Sequence, residues 1–202
     1  MSRAVATPWQ TLGPYFDPRL LRPGDADLTR RRPGGPVAEG EAIEIAGTVC
    51  IRRGEPQRNA LIEIWQASHH GTFDHPEDRH PEDRRNLPVD PNFRGFGRCL
   101  TDTRGAYRFR TIRPGPAPHP GGGWQAPCIN VSIFCVGLLR RLLTRIYFAG
   151  DPRNDDDPIL LSIADTGHRN TLLAREVAAH PVASYRFDIV MQGEGETAYF
   201  ID

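Results

Sequence analysis

The alternation of apolar and polar positions begins near residue 42. From there Ile43, Ile45, Val49 and Ile51 alternate with Glu44, Ala46, Thr48 and Cys50, the period of two expected of a strand with one buried face. Arg53-Gly54-Glu55-Pro56 reads as a turn, and Leu61 to Gln66 as the returning strand. After the turn Asp102-Thr103-Arg104-Gly105, Tyr107 and Phe109 alternate with Arg108 and Arg110. Cys128 to Phe134 alternates again, so Cys128, Asn130, Ser132 and Phe134 share one face. The apolar run Leu142 to Phe148 is its expected partner strand. Tyr185, Phe187, Ile189 and Met191 repeat the pattern before Gly193-Glu194-Gly195 turns the chain into Thr197 to Ile201. Short strands at near-regular spacing, punctuated by Gly and Pro, predict an all-β fold, an antiparallel β-sandwich. One short helix is expected over about 168–177, with Leu172, Leu173 and Val177 as its apolar stripe. Residues 68–92 and 113–125 read as long loops, of a length that is usually functional or interface-forming. The HPEDR at 75–79 recurs at 80–84, too short for a structural repeat.

Residues 1–40 are rich in Pro, Gly and Arg and show little periodicity. They read as an extended N-terminal arm, ordered only by packing on something else, with residues 41–202 as one sandwich domain. The 202-residue chain has a formal net charge of zero, which argues against a nucleic acid or an anionic membrane surface as its main partner. No apolar run approaches the length of a membrane span, and MSRAVATPWQ lacks the apolar core of a signal peptide. A cytoplasmic location is therefore expected. Cys50, Cys99, Cys128 and Cys135 form no CxxC pair and are expected to be free thiols.

Cys128 and Asn130, at i and i+2 on one strand face, have the frame of a metal-binding strand without the usual ligand residues. Other segments accompany it: Thr7-Pro8-Trp9-Gln10-Thr11-Leu12-Gly13-Pro14-Tyr15-Phe16, Leu61-Ile62-Glu63-Ile64-Trp65-Gln66-Ala67, Phe93-Arg94-Gly95-Phe96-Gly97-Arg98, Arg113-Pro114-Gly115-Pro116, Tyr185-Arg186-Phe187-Asp188-Ile189 and Gln192-Gly193-Glu194-Gly195-Glu196-Thr197. In these segments and their order the chain resembles the intradiol ring-cleavage dioxygenases, over roughly residues 7 to 202. The resemblance implies a transthyretin-like β-sandwich. It also implies, for catalytic members, Fe(III) held by two Tyr and two His, because phenolate is a hard anionic donor and open positions accept the two hydroxyls of a catechol.

Carried over position by position, Phe73 in Gly71-Thr72-Phe73 stands where the first Tyr belongs. Ala117, in Pro114-Gly115-Pro116-Ala117-Pro118, stands where the second does. Cys128 and Asn130 stand for the two His of an H-x-H strand. One soft thiolate does not hold Fe(III). The likeness is closest to the iron-free α chains of two-chain members, whose β chain carries the metal. It implies no metal and no catalytic residue in this chain, Fe(III) on a β-chain partner, a higher α–β oligomer and a small aromatic substrate. It further implies that the arm reaches the partner's pocket through Thr11, Gly13, Pro14 and Tyr15. There Gly and Pro permit close backbone approach and Tyr15 offers a hydroxyl; the plainer reading is that Gly13-Pro14-Tyr15 only turns the arm. Trp9, Tyr15, Phe16, Leu20 and Leu21 would make the buried contact. Two departures bear on substrate range. Cys128 replaces a His that α chains commonly keep. Val136, in Phe134-Cys135-Val136-Gly137, replaces the Arg of an F-A-R-G pattern, which Arg140 or Arg141 could compensate.

Other readings stay open at this point. His69, His70, His75 and His80 cluster with Asp74, Glu77 and Asp78 and could hold Zn or another divalent ion, although the spacing matches no closed site and solvated histidines are the plainer reading. A stand-alone transthyretin-like binding module would use the same sandwich. Asp155-Asp156-Asp157 could suit Ca2+ or Mg2+, but reads better as a solvated turn into Pro158.

Overall fold

The computed structural model describes residues 21–75, 87–179 and 181–201. Thr11, Gly13, Pro14 and Tyr15 of the arm, and His80, Glu77 and Asp78, lie outside the described residues. The first alternating run becomes β1 (Ala42–Ile51), whose Ile43, Ile45 and Val49 are at most 1% exposed. The short β2 (Glu55–Pro56) folds back on its end. Then come β3 (Leu61–Gln66), β4 (Phe96–Leu100) and β5 (Ala106–Ile112). Within the 113–125 segment β6 (Ala117–Pro118) and β7 (Trp124–Gln125) pair as a small separate hairpin. They are followed by β8 (Cys128–Phe134), β9 (Leu142–Phe148), α1 (Pro158–Ser162) and α2 (Thr166–Asn170). The last elements are β10 (Leu173–Ala178), β11 (Ala183–Arg186) and β12 (Ile189–Val190). The final stretch makes one bridge, Phe200 to Leu143 of β9.

Among the described residues, ten strands make one sheet in the order β12-β1-β11-β10-β9-β8-β3-β4, with β2 and β5 on the other edge of β1. The sheet curls on itself, so that Ile43, Ile45 and Phe109 on one side meet Ile62, Ile64, Ile129, Val131 and Ile146 on the other in a single core. The sheet-dominated fold is as the alternation predicts. The pairing is mixed rather than antiparallel throughout: β1 runs parallel to β11 and β12, and β9 parallel to β10. The β10–β11 hairpin joins the two halves of the curl, β10 pairing with β9 and β11 with β1. Gln66 at the end of β3 ties the layers together. Its side chain is fully buried, donates to the carbonyls of Ile112 (2.8 Å) and Ala67 (3.1 Å), and accepts from the Thr111 hydroxyl (2.8 Å). Every polar atom of this buried amide group thus has a partner inside the protein.

The helix expected over 168–177 is corrected. α2 covers Thr166–Asn170, capped by Asp165, whose carboxylate accepts from His168 N. The chain from Leu173 is a strand, paired to Tyr147 and Phe148 of β9 and to β11. Leu172 is buried, but Val177 is 63% exposed at a register shift of the β10–β11 pair. The helical-looking spacing of Leu172, Leu173 and Val177 therefore buries no common face, and ladder hydrogen bonds from two neighbours outweigh weak helix propensity. No helix among the described residues is long and apolar enough to cross a membrane.

Candidate functional site

Register assembles the site. Trp65, Asn130 and Arg145 lie directly across from one another on β3, β8 and β9, and Cys128 lies opposite Tyr147. Directly opposed residues share a face. The alternating burial of β8 sends Ile129, Val131 and Ile133 into the main core, so Cys128, Asn130, Arg145 and Tyr147 lie on the other face. A second, smaller apolar cluster covers that face: Ala126, Tyr147, Leu160 and Leu172, with Cys128 and Phe200 at its edge.

The loops after β3 and β5 deliver the other two positions. Gly71 N and Gly115 N both donate to the carbonyl of Ser68, at 3.0 and 2.9 Å. The Ser68 and Thr72 hydroxyls are 2.8 Å apart. The turn so closed lays Phe73 on Trp65, with ring centroids 5.8 Å apart and planes at 18°. Ala117, buried, pairs with Gln125 in the β6–β7 hairpin. Gln125 then accepts from Arg145 Nη1 at 2.7 Å, and the same nitrogen lies 4.0 Å from Cys128 Sγ. Asn130 Nδ2 donates to the Trp65 carbonyl at 3.1 Å. Ala117, Cys128 and Asn130 are thus within two contacts of Arg145, and Phe73 is joined to it through Trp65 and Asn130. Arg145 is the residue that the sequence reading passed over. The signal was present: Arg145 is the one charged residue in the run Leu142–Phe148.

Behind Arg145 runs a buried polar chain. The Tyr147 hydroxyl, which feels the Arg145 charge, donates to Asp157 Oδ1 at 3.1 Å. Oδ1 also accepts from Ile159 N (3.0 Å) and Leu160 N (2.7 Å), and Oδ2 from Ala126 N (2.7 Å). The reading of 155–157 as a solvated turn is corrected at Asp157, which is wholly buried as the cap of α1. Burial acts on the thiol, the phenol and the guanidinium here. It pushes the Cys128 thiol up to about 11, with the Arg145 charge pulling part of the way back, and it raises Tyr147 well above the usual phenol range. Burial alone would lower Arg145, and the facing Cys128, Tyr147 and Asp157 more than offset it. All four cysteines are free, and burial raises each: Cys99 to about 12, Cys50 and Cys135 more modestly. A raised thiol leaves stability intact below its unfolded pKa of about 8.5 and withdraws it as pH rises through the folded value. An iodoacetamide pulse at pH 7.5 is therefore expected to leave Cys99 and Cys128 unmodified in the folded chain and to label both in denaturant; equal labelling in the two states would contradict the burial argument.

The four positions do not suit ferric iron. Phe73 and Ala117 have no donor, the amide nitrogen of Asn130 is engaged with Trp65, and the Cys128 thiol is protonated and faces a guanidinium. The described members of the histidine loop do not converge either. His70 Nε2 lies 2.8 Å from Glu39, Asp74 pairs with Arg31 at 2.8 Å, and His75 stands edge-on to Trp65 at 6.5 Å. Among the described residues no three His, Cys, Asp or Glu gather to hold a metal ion. Val136 is 62% exposed beyond the end of β8. It sits in the turn that follows β8, at the opposite end of that strand from Cys128. An open cavity of about 590 Å3 adjoins the cluster, lined by Pro116, Gly123, Trp124, Gln125, Arg153 and Asp156.

Residues 11–193 match the family described as dioxygenase. The protocatechuate 3,4-dioxygenase β chain of Burkholderia cepacia is 38% identical over 191 residues, 91% of this chain and 78% of that one. The protocatechuate 3,4-dioxygenase α chain of Pseudomonas putida is 35% identical over 201 residues, 96% of this chain and 95% of that one. Among solved structures, the dioxygenase domain of a dioxygenase–carbohydrate-binding fusion protein from Streptomyces sp. SirexAA-E superposes with a TM-score of 0.57 at 26% identity, covering 95% of this chain and 99% of that one. The 3-chlorocatechol 1,2-dioxygenase of Rhodococcus opacus 1CP shares the fold, with a TM-score of 0.61 at 22% identity over 90% of this chain and 71% of that one.

Proposed function

This chain belongs to the intradiol ring-cleavage dioxygenase family, and from that premise we propose that it is the non-catalytic α subunit of a protocatechuate 3,4-dioxygenase. The observation that carries the reading is the side-chain chemistry at Phe73, Ala117, Cys128 and Asn130, which offers no phenolate and no imidazole, with Cys128 facing the guanidinium of Arg145. Overall identity does not decide between the chain types, since the β-chain relative is 38% identical and the α-chain relative 35%; coverage of 96% and 95% end to end favours the α type. In this reading the holoenzyme is cytoplasmic and opens protocatechuate with O2 to 3-carboxy-cis,cis-muconate, a step of aromatic catabolism in the β-ketoadipate pathway. Fe(III) belongs to the β chain. Residues 1–40 are the arm; its described part lies on this chain's own sheet, with Leu28 and Ala38 in the core, the residues before it pack on that partner, and Thr11, Gly13, Pro14, Tyr15 and Val136 shape its substrate pocket. The domain from residue 41 buries partner surface and builds the higher α–β oligomer.

The test is expression of the chain alone and with its β chain, reading iron content and ring cleavage. The expected result is a colourless, inactive chain alone and an iron-bearing, active complex. Metal-dependent cleavage by the isolated chain would overturn the reading. In the complex, Tyr15→Ala is expected to raise KM or lower kcat with iron content unchanged; unaltered kinetics would remove the arm from the pocket.

A further inference from the structure

We propose that the outer face of the seam between β4 and β5 is a binding site for a small oxyanion carrying two or more negative charges, a polycarboxylate or a phosphate, held by Arg22, Arg108 and Arg110. Among the described residues β4 and β5 do not pair with each other. The segment 22–28 bridges them. On the β4 side the Asp25 carbonyl accepts from Arg98 N at 3.0 Å. On the β5 side the Ala26 carbonyl accepts from Arg110 N (2.9 Å), and Leu28 N donates to the Arg110 carbonyl (2.8 Å). Leu28 closes the seam toward the core and is fully buried. Outside this bridge the seam stays open as a cavity of about 440 Å3, lined by Arg22, Arg98, Leu100, Arg108 and Arg110 among others. That is the size of a small-molecule pocket.

Unpaired charge is the argument for an anion. Tyr107 and Phe109 enter the core, so Arg108 and Arg110 share the outer face of β5, about 7 Å apart along the strand. Arg22 and Arg110 are exposed, and their side chains make no hydrogen bond or ion pair among the described residues. Arg108 reaches Glu44 only at 3.9 Å, with its side chain 72% exposed. The acids of the seam are already engaged. Asp25 accepts from Arg94 at 3.0 Å and from Arg22 N at 2.8 Å. Asp27 accepts from the amide and hydroxyl of Thr29, and Glu63 pairs with Arg98 at 2.9 Å. The backbone adds a neutral donor. Arg98 N turns away from β3 to meet Asp25, so Leu100 N, two residues on, turns the same way. It has no partner among the described residues. Guanidinium forks match carboxylate and phosphate oxygens. One carboxylate fills one fork, so three guanidiniums call for more than one charge. A nucleic-acid backbone would need a longer cationic stripe, and the chain's formal net charge is zero.

The experiment titrates the full chain with citrate, inorganic phosphate and acetate by isothermal titration calorimetry, with ionic strength held constant so that general screening does not register. The expected result is saturable one-to-one binding of citrate or phosphate, and none of acetate. Tighter citrate assigns the site to polycarboxylates, and tighter phosphate assigns it to phosphates. Arg110→Gln and Arg22→Gln are each expected to weaken that binding at least about tenfold, because each removes a charge-assisted contact. Arg175→Gln, at an exposed arginine of β10 that does not line the cavity, is expected to leave it unchanged. The bonds that bridge the seam at residues 22 and 110 use backbone atoms, so these variants keep the fold, which circular dichroism checks. Binding of neither polyanion overturns the proposal. So does acetate binding as tightly as citrate, and so does an equal weakening by Arg110→Gln and Arg175→Gln. None of these results bears on the accessory-subunit reading, which iron content and ring cleavage decide.

Discussion

Gly71→Ala is expected to destabilise the chain by about 3 kcal/mol, two penalties acting together. Gly71 has φ of +81°, a conformation that costs an L side chain about 1–2 kcal/mol. Its Cβ would also lie 2.1 Å from the Pro116 carbonyl oxygen. That oxygen is backbone and cannot rotate away, so one loop must shift, at about 1–3 kcal/mol for an overpacked contact. Gly115 is the reciprocal case: its Cβ would lie 2.2 Å from the His69 carbonyl oxygen. The two glycines let the loops after β3 and β5 interlock, both bonded to the carbonyl of Ser68. This interlock positions Phe73 and Ala117 together. At roughly 2–4 °C per kcal/mol for a chain of this size, Tm should fall by about 10 °C. Phe73 should move off Trp65 at the same time, changing tryptophan fluorescence in the folded state. A fall of only a degree or two, with fluorescence unchanged, would show that the loops separate freely and that their interlock does not position the site.

Strand positions were legible where one face is buried. A one-residue slip in β1, β5 or β8 would carry its apolar side chains to solvent, so the alternation of Ile43, Ile45 and Val49, or of Tyr107 and Phe109, survives in the structure. The segment 173–178 was not legible, because the partners that make it a strand, Tyr147 and Phe148 on one side and β11 on the other, are set by topology rather than by its own spacing. The buried polar residues share that difficulty. Gln66 and Asp157 look solvated in sequence, and only the approach of β5 to Gln66, or of Ala126 and Tyr147 to Asp157, gives them internal partners. At the site, Phe73, Ala117, Cys128 and Asn130 could be found because their segments recur in a known order. Arg145 could not be placed by that route. Its meaning depends on the β8–β9 register and on a hairpin, β6–β7, inside what reads as loop.

Asp157→Ala is expected to cost about 4 kcal/mol, more than a surface helix cap would. Loss of an ordinary N-cap accounts for about 1 kcal/mol. The larger part comes from the four donors left behind: Ala126 N, Ile159 N, Leu160 N and the Tyr147 hydroxyl. A buried donor without a partner costs about 1–3 kcal/mol, and the Ala126 donor and the Tyr147 side chain are deeply buried, so water reaches them poorly. Asp157→Asn separates geometry from charge. Its carbonyl oxygen can still accept from Ile159 and Leu160, but its NH2 meets the Ala126 N–H, and the negative charge is gone. About half of the alanine loss is expected. The charge component should be shared with Arg145, whose guanidinium interacts electrostatically with both Tyr147 and Asp157. Combining Asp157→Asn with Arg145→Gln should therefore cost less than the sum of the single changes, by about 0.5 kcal/mol or more for residues joined in one network. Strict additivity in urea unfolding would mean that Tyr147 does not couple the two charges. The carboxylate would then serve only α1, and the guanidinium only the face of Cys128 and Asn130.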